Sequence, residues 1–363
     1  MSIFTIGQHA SCSKTITESD VDERSRNMSH IGIEKTGVFF PSGIETAANL
    51  AVKTGIPESI IVEKFGLYQK HVADSSTHAS DLAVEAAKSI LKQVEPMSID
   101  VVIYFGSPHK DYYVWSCAHK IQHEIGAKNA YAFEIMNVSS CFPIALKVAK
   151  DMLRSDDGIN NILLAGGCKE SQILDYDNPR SRFMFNFADG GTAALVSRNA
   201  SNSEILESAI ITDGSFWEDV RIPAGGSKQF ASVDSVTKRQ HFIDVVNPSN
   251  MKERLDPVSI PNFEKVIRQA LHKSGLTTND IKLLLPLHTK RSMLKQLLQS
   301  LNLSEENAIY LDNYGHMSSL DPCVGLHLAN EQGKLKAGDV AVAVSAGTGY
   351  TWAATVICWK GKS

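Results

Sequence analysis

Tyr131-Ala-Phe-Glu-Ile-Met-Asn-Val-Ser-Ser-Cys141-Phe-Pro-Ile-Ala-Leu-Lys-Val-Ala149 reads as an apolar strand, a turn of small residues and a helix in immediate succession. Pro143 suits the first turn of a helix, where no backbone donor is needed. A thiol at that position meets unpaired N–H groups and the positive end of the helix dipole, an arrangement that favours thiolate. Such a cysteine can attack a thioester and hold the acyl group covalently. Cys141 is therefore the candidate nucleophile.

Outward from this stretch the chain repeats an order of elements. Residues 79–107 carry an amphipathic helical pattern, a polar turn and the buried strand Ile99-Asp-Val-Val-Ile-Tyr-Phe. Residues 262–288 carry the same, ending in Ile281-Lys-Leu-Leu-Leu-Pro-Leu-His288. A helix, a loop and a strand follow in both places, ending near Tyr131-Ala-Phe and Ile309-Tyr310-Leu. Next comes a turn with chemistry in it, Ser139-Ser-Cys141 in the first and Gly315-His-Met-Ser-Ser in the second. Each half closes on an apolar strand, Asn161-Ile-Leu-Leu-Ala-Gly-Gly and Val340-Ala-Val-Ala-Val-Ser-Ala-Gly. The pattern predicts a duplicated α/β fold. It comprises a polar tail over 1–28, an amino-terminal half over 29–200 and a carboxy-terminal half over 201–363. Cys141, His288, His316 and Gly347-Thr-Gly349 all follow predicted strands. In open α/β sheets ligands bind at the carboxyl ends of strands.

Composition narrows the function. The 363 residues are 43% hydrophobic and 21% charged, with net charge −4. That is enough for a large core, and nothing in it implies a basic surface for nucleic acid. No apolar run approaches the roughly 20 residues that span a bilayer, and the first 28 residues hold no signal-peptide core. A cytoplasmic protein without membrane or nucleic-acid partners is expected. Cys12, Cys117, Cys141, Cys168, Cys323 and Cys358 form no CxxC pair, so free thiols are expected. His119 and His123 stand four apart on a predicted helix, but no third ligand accompanies them, and no metal is expected.

The ordered set of Cys141 in its strand-to-helix turn, Pro286-Leu-His288, Asn313-Tyr-Gly-His316 and Ala346-Gly-Thr-Gly-Tyr-Thr-Trp352 resembles the thiolase-fold condensing enzymes. The nearest group is the β-ketoacyl-acyl-carrier-protein synthase III type, within the chalcone synthase-like superfamily. Supporting stretches are Lys64-Phe-Gly-Leu-Tyr-Gln-Lys-His-Val, Phe187-Ala-Asp-Gly-Gly-Thr and Gly333-Lys-Leu-Lys-Ala-Gly-Asp. The resemblance spans about residues 30–360. It implies a five-layered αβαβα fold and a homodimer. It implies an acyltransferase of fatty acid or polyketide biosynthesis, fed by acyl-CoA or an acyl carrier protein, with no cofactor beyond the phosphopantetheine carrier. Cys141 would take the acyl group. His288 and His316 would serve the second step, and the N–H groups of Cys141 and Thr348 would form the oxyanion hole. Phe187, Gly347 and Gly349 would border the substrate, with Lys64 and Arg182 at the mouth. Trp115 would sit in a loop that sets chain length.

Three departures from the family pattern matter. His316 stands where the type III enzymes carry asparagine. The Cys-His-His set permits decarboxylative condensation with a malonyl thioester. It also resembles relatives that pass the acyl group to oxygen or nitrogen, in which a histidine acts as base and an acid orients it. Asp321 is the candidate orienting acid, with helix N-cap as its plainer role. At the mouth, Ile60 and Lys64 replace the usual tryptophan and arginine. His288 is followed by Thr-Lys-Arg rather than by a nearby asparagine. A non-catalytic partner subunit is a third reading, although such relatives commonly lack the cysteine that this chain keeps.

Overall fold

The computed structural model describes residues 30–361; the polar tail expected over 1–28, with Cys12, lies outside them. In chain order the first half contains β1 (Ile31–Phe39), α1 (Ala79–Leu91), β2 (Val101–Tyr104), α2 (Cys117–Glu124), β3 (Tyr131–Glu134), α3 (Cys141–Ser155), β4 (Asn161–Lys169) and β5 (Asp189–Arg198). The second contains β6 (Ser203–Thr212), α4 (Pro248–Lys273), β7 (Ile281–Pro286), α5 (Arg291–Ser300), α6 (Asp321–Glu331), β8 (Val340–Gly347) and β9 (Thr351–Trp359).

The elements form where local chemistry asks for them. Asp81 accepts from the His78 N–H at 2.9 Å and closes the start of α1. Phe142, Ala145, Leu146, Ala149 and Leu153 recur at helical spacing in α3 and are all buried. β4 and β8 are apolar without alternation because helices cover both faces.

The two sheets share one topology. The first runs β1-β5-β4-β2-β3 and the second β7-β8-β9-β6. β2 pairs in parallel with β3 and β4, and β7 pairs in parallel with β8. The remaining neighbours are antiparallel in both. The strand expected around 309–311 shrinks to a single parallel bridge, Leu284 to Ala308. This bridge occupies the place beside β7 that β3 holds beside β2.

Three cores separate five layers. One lies under α1 and α2, with Leu82's neighbours Ala83, Ala86 and Ile90 against Val102, Leu163 and Leu195. A second lies under α4 and α5, where Val266, Ile267 and Leu297 meet Val342 and Val356. Between the sheets, α3 and α6 share the third, which includes Cys141, Leu146, Leu153, Val324 and Leu326. This is the expected duplicated αβαβα arrangement.

The helix expected over 262–271 begins already at Pro248, with Pro257 and Pro261 inside it. Interior prolines ordinarily end helices, because each removes a donor and crowds the preceding turn. Packing of Phe263, Val266, Ile267, Ala270 and Leu271 on the sheet holds this one in line. Among the described residues Cys117, Cys141, Cys168, Cys323 and Cys358 are free thiols.

Candidate active site

Each half delivers its functional turn in the same way. Val138–Ser140 forms one tight 3-10 turn that feeds α3, and Ser318–Leu320 forms another that feeds α6. Cys141 and Asp321 are thus counterparts, each the first residue of a central helix. Val138 (φ 49°) and Ser318 (φ 55°) both adopt left-handed backbone. Side chains rarely accept that conformation, and it persists here because the packed surroundings over-determine it.

Cys141 is fully buried. The Asn137 N–H donates to its sulfur at 2.7 Å. Burial nevertheless pushes the thiol up to about 12, and that donor only partly opposes it. The expectation of a resting thiolate is therefore corrected. At this buried position desolvation outweighs the stabilisation that the helix start and the Asn137 N–H offer a thiolate.

Asp321 joins the histidines. Its Oδ2 lies 2.5 Å from His316 Nδ1 and accepts the His288 backbone N–H at 2.7 Å. Its Oδ1 accepts the Met317 N–H at 2.8 Å. A carboxylate with three such bonds only accepts, which assigns the proton of His316 to Nδ1. The N-cap reading of Asp321 fails: Leu320 holds that position and has no side-chain cap. On its other side, His316 Nε2 lies 3.3 Å from Ser139 Oγ, two residues before Cys141. The backbone of His316 bridges to Phe187, and the two rings meet edge to face at 5.0 Å.

His288 follows β7 and is buried. Neither ring nitrogen has a hydrogen-bond partner. The Phe65 carbonyl lies close enough to raise its basicity slightly, but burial dominates and brings the imidazole down to about 4, despite the nearby Asp321 carboxylate. The ring is neutral at physiological pH and lies on Tyr310, centroid to centroid 4.7 Å.

The Gly347 turn closes the site. A side chain at Gly347 would come within 2.6 Å of the Asn137 carbonyl and 3.0 Å of the Ser140 nitrogen. The Ser345 hydroxyl donates to the Ser139 carbonyl. The turns of the two halves are therefore in direct contact. Thr348 and Gly349 continue that turn, half-buried.

The mouth residues are less tightly held. Lys64 is exposed in the π-helical turn Ile61–Phe65, one residue before Phe65. Arg182 is exposed on the turn Pro179–Met184, five residues before Phe187. Arg180 is committed to Asp244 at 2.5 Å. Trp115 packs on Tyr112 and against the α1–α2 core, away from the histidines of its own chain. The adjoining Tyr112, Tyr113 and Val114 are exposed.

Sequence reading passed over Ser139, Tyr310 and Lys70 as site residues. Ser139 is the bridge to His316, and only its place beside Ser140-Cys141 hinted at it. Lys70 is fully buried and donates to the carbonyls of Phe185 and Phe187, each at 2.8 Å, and to Tyr176 Oη at 3.0 Å. With Glu45 at 3.2 Å it anchors the loop that carries Phe187. Burial lowers it to about 8.

Residues 133–214 match the profile of 3-oxoacyl-[acyl-carrier-protein] synthase III, and residues 271–359 match that of its C-terminal domain. The chain is 30% identical over 333 residues to β-ketoacyl-[acyl-carrier-protein] synthase III of Caldanaerobacter subterraneus subsp. tengcongensis, covering 91% of this chain and 98% of that one. It is 32% identical over 302 residues to the synthase III of Syntrophomonas wolfei, covering 82% and 88%. The crystal structure of 3-oxoacyl-[acyl-carrier-protein] synthase III from Aquifex aeolicus superposes with TM-score 0.78 at 25% identity, over 90% of this chain and 99% of that one.

Proposed function

Because the chain belongs to the β-ketoacyl-acyl-carrier-protein synthase III family of acyltransferases, we propose that it builds a β-ketoacyl thioester at Cys141 by two half-reactions. In the first, the Cys141 sulfur attacks a donor thioester. The new S–C bond forms as the donor C–S bond breaks, and the departing thiolate takes the cysteine's proton. The N–H groups of Cys141 and Thr348 hold the tetrahedral oxyanion, a contribution of about 3–4 kcal/mol per donor to such barriers. In the second, a malonyl thioester loses carbon dioxide, and its electron pair moves onto the thioester oxygen as an enolate. His288 and, with a proton from solvent on Nε2, His316 hold that oxygen; the enolate carbon attacks the acyl group, and the Cys141 thiolate leaves and takes up that proton.

The observation that carries this reading is the single carboxylate of Asp321, which binds His316 at Nδ1 and His288 at its backbone N–H. Ser139 ties the same His316 to the turn of Cys141. Acyl-CoA or an acyl carrier protein is the proposed donor, with Lys64 and Arg182 as its phosphate contacts and no cofactor beyond that carrier. Two copies of the chain are the proposed assembly, supported by the exposed Tyr112-Tyr113-Val114 loop with Trp115 behind it. A cytoplasmic setting is proposed; no helix among the described residues is long and apolar enough to cross a membrane.

A second reading draws on the same pair. A proton held on Nδ1 by Asp321 leaves the Nε2 lone pair of His316, which faces Ser139 Oγ at 3.3 Å, to act as base toward an alcohol or amine. Product analysis separates the two. With acyl-CoA and a malonyl thioester, condensation yields a β-keto thioester and carbon dioxide. Ester or amide formed only with an alcohol or amine, and no β-keto product, would replace it with the second reading. Cys141→Ala is expected to abolish the acyl adduct seen by intact mass spectrometry in either case, and a persisting adduct would remove Cys141 from both.

A further inference from the structure

The two histidines of the site are held by different means. His316 is bonded at its ring, through Nδ1 to Asp321, and at its backbone N–H, which donates to the Asn186 carbonyl at 2.9 Å. His288 has its backbone N–H bonded to Asp321, but neither ring nitrogen has a hydrogen-bond partner. No polar contact therefore fixes the direction of the His288 ring. A donor to an enolate oxygen has to be aimed before the charge appears, because aiming it during the reaction adds to the barrier.

An aromatic contact supplies the restraint. Ile309 and Leu311 belong to the core between the sheets, whereas Tyr310, between them, packs on the core under α4 and α5. There its ring meets that of His288, centroid to centroid 4.7 Å with the planes 33° apart. That spacing lies within the range of favourable ring contacts.

Tyr310 is itself held at its tip and on its ring. Its Oη donates to the carbonyl of Thr289, the residue after His288, at 2.7 Å. A side chain at Gly66 would collide with the same oxygen, so the mouth turn leaves the phenol no room to swing. That turn is in turn tied down by the Tyr68 N–H, which donates to the Asp312 carbonyl at 2.7 Å. Over the ring stands the Arg291 guanidinium, 5.6 Å from the centroid. Glu305 accepts from its Nε at 3.0 Å and its Nη2 at 2.7 Å. Arg291 is the first residue of α5 and the third after His288. The departure from the family pattern at Thr289-Lys-Arg291 thus has a structural counterpart.

We propose that Tyr310, backed by Arg291, is the positioning residue of His288, holding the imidazole in the direction from which it donates to the enolate oxygen. The proposal rests on the condensation reading. Tyr310 acts through His288 alone, so its weight falls on the second half-reaction. Acylation of Cys141 makes no use of His288 and is not affected.

The experiment compares Tyr310→Leu, which removes the ring, with Tyr310→Phe, which keeps the ring and removes only the bond to Thr289. Acylation of Cys141 by acyl-CoA is followed by intact mass spectrometry, and condensation with a malonyl thioester by steady-state kinetics. In Tyr310→Leu the acyl adduct is expected to form at the native rate while kcat for the β-keto product falls about tenfold or more, the scale of a misaimed catalytic group. KM for the malonyl thioester is expected to stay within about twofold. Tyr310→Phe is expected to recover kcat to within about threefold of native, because the ring contact survives. Native kcat in Tyr310→Leu, acylation slowed as much as condensation, or a Tyr310→Phe no better than Tyr310→Leu would each overturn the proposal. Should Tyr310→Leu not fold, Arg291→Gln takes the guanidinium from the ring and is held to the same split, with kcat lowered about threefold; native kcat there would overturn the proposal too. Native enzyme that acylates Cys141 yet forms no β-keto product would sink condensation itself, and this role of Tyr310 with it, before any variant is made.

Discussion

His288 keeps its imidazole uncharged and buried with no hydrogen-bond partner at either ring nitrogen, and this has a measurable consequence. Its ordinary value of 6.5 drops to about 4 on folding. Above pH 6.5 the ring is neutral in both states and contributes no pH dependence. Between about 6.5 and 4 only the unfolded chain takes the proton, so stability falls as pH falls, and below about 4 the loss is complete. The loss is on the order of 3 kcal/mol at 1.36 kcal/mol per unit. Urea unfolding at pH 7.0 and 4.5 is expected to show this drop in the native protein and a smaller one in His288→Asn. Equal drops would mean that the ring is solvated after all. In the proposed condensation the same desolvation would make His288 an uncharged hydrogen-bond donor to the developing enolate oxygen.

Turns and the starts of helices place the proposed reacting atoms, and they tolerate little change. Gly315 precedes His316 at φ 82°, and a side chain there would come within 2.7 Å of Ala188 and 2.8 Å of the Asn186 carbonyl. Gly315→Ala is expected to cost about 1–3 kcal/mol of stability from the backbone conformation alone. It should also lower kcat more than the acyl-adduct yield, because His316 moves while Cys141 does not. Thermal unfolding and product formation measured together check this; unchanged kcat would mean that the loop absorbs the methyl group. Lys70 secures the facing loop from below. Lys70→Met leaves Glu45 with Lys53 and Tyr176 but frees the carbonyls of Phe185 and Phe187. The expected loss is about 3 kcal/mol, as for one partner removed from a buried pair. A melting temperature unchanged from native would show that Tyr176 and Glu45 hold the loop without it.

Across the whole molecule the two sheets share one inner layer, α3 and α6, so neither half has a private core on its inner face. Unfolding is expected to be a single transition seen alike by near- and far-ultraviolet circular dichroism. Leu153→Ala, at a fully buried site of that layer, should move both together by about 2–5 kcal/mol. Two separated transitions would show halves that fold independently.

Much of this architecture was legible in residue order. Helical and strand periodicities, the repeated succession of elements and the placing of Cys141 and His288 after strands are properties of neighbours along the chain, where sequence speaks directly. The early start of α4 was hidden by Pro257 and Pro261, which obey their local rule everywhere except against a sheet that compensates for them. Asp321 as the link between two histidines, Ser139 as the hydroxyl facing His316 and Lys70 beneath Phe187 belong to another class. Each joins residues far apart in the chain through a hydrogen bond, and a hydrogen bond depends on distance and direction that only packing supplies. The protonation state of Cys141 was decided the same way: helix position argues for thiolate, but burial, which the whole fold creates, argues more strongly for the thiol.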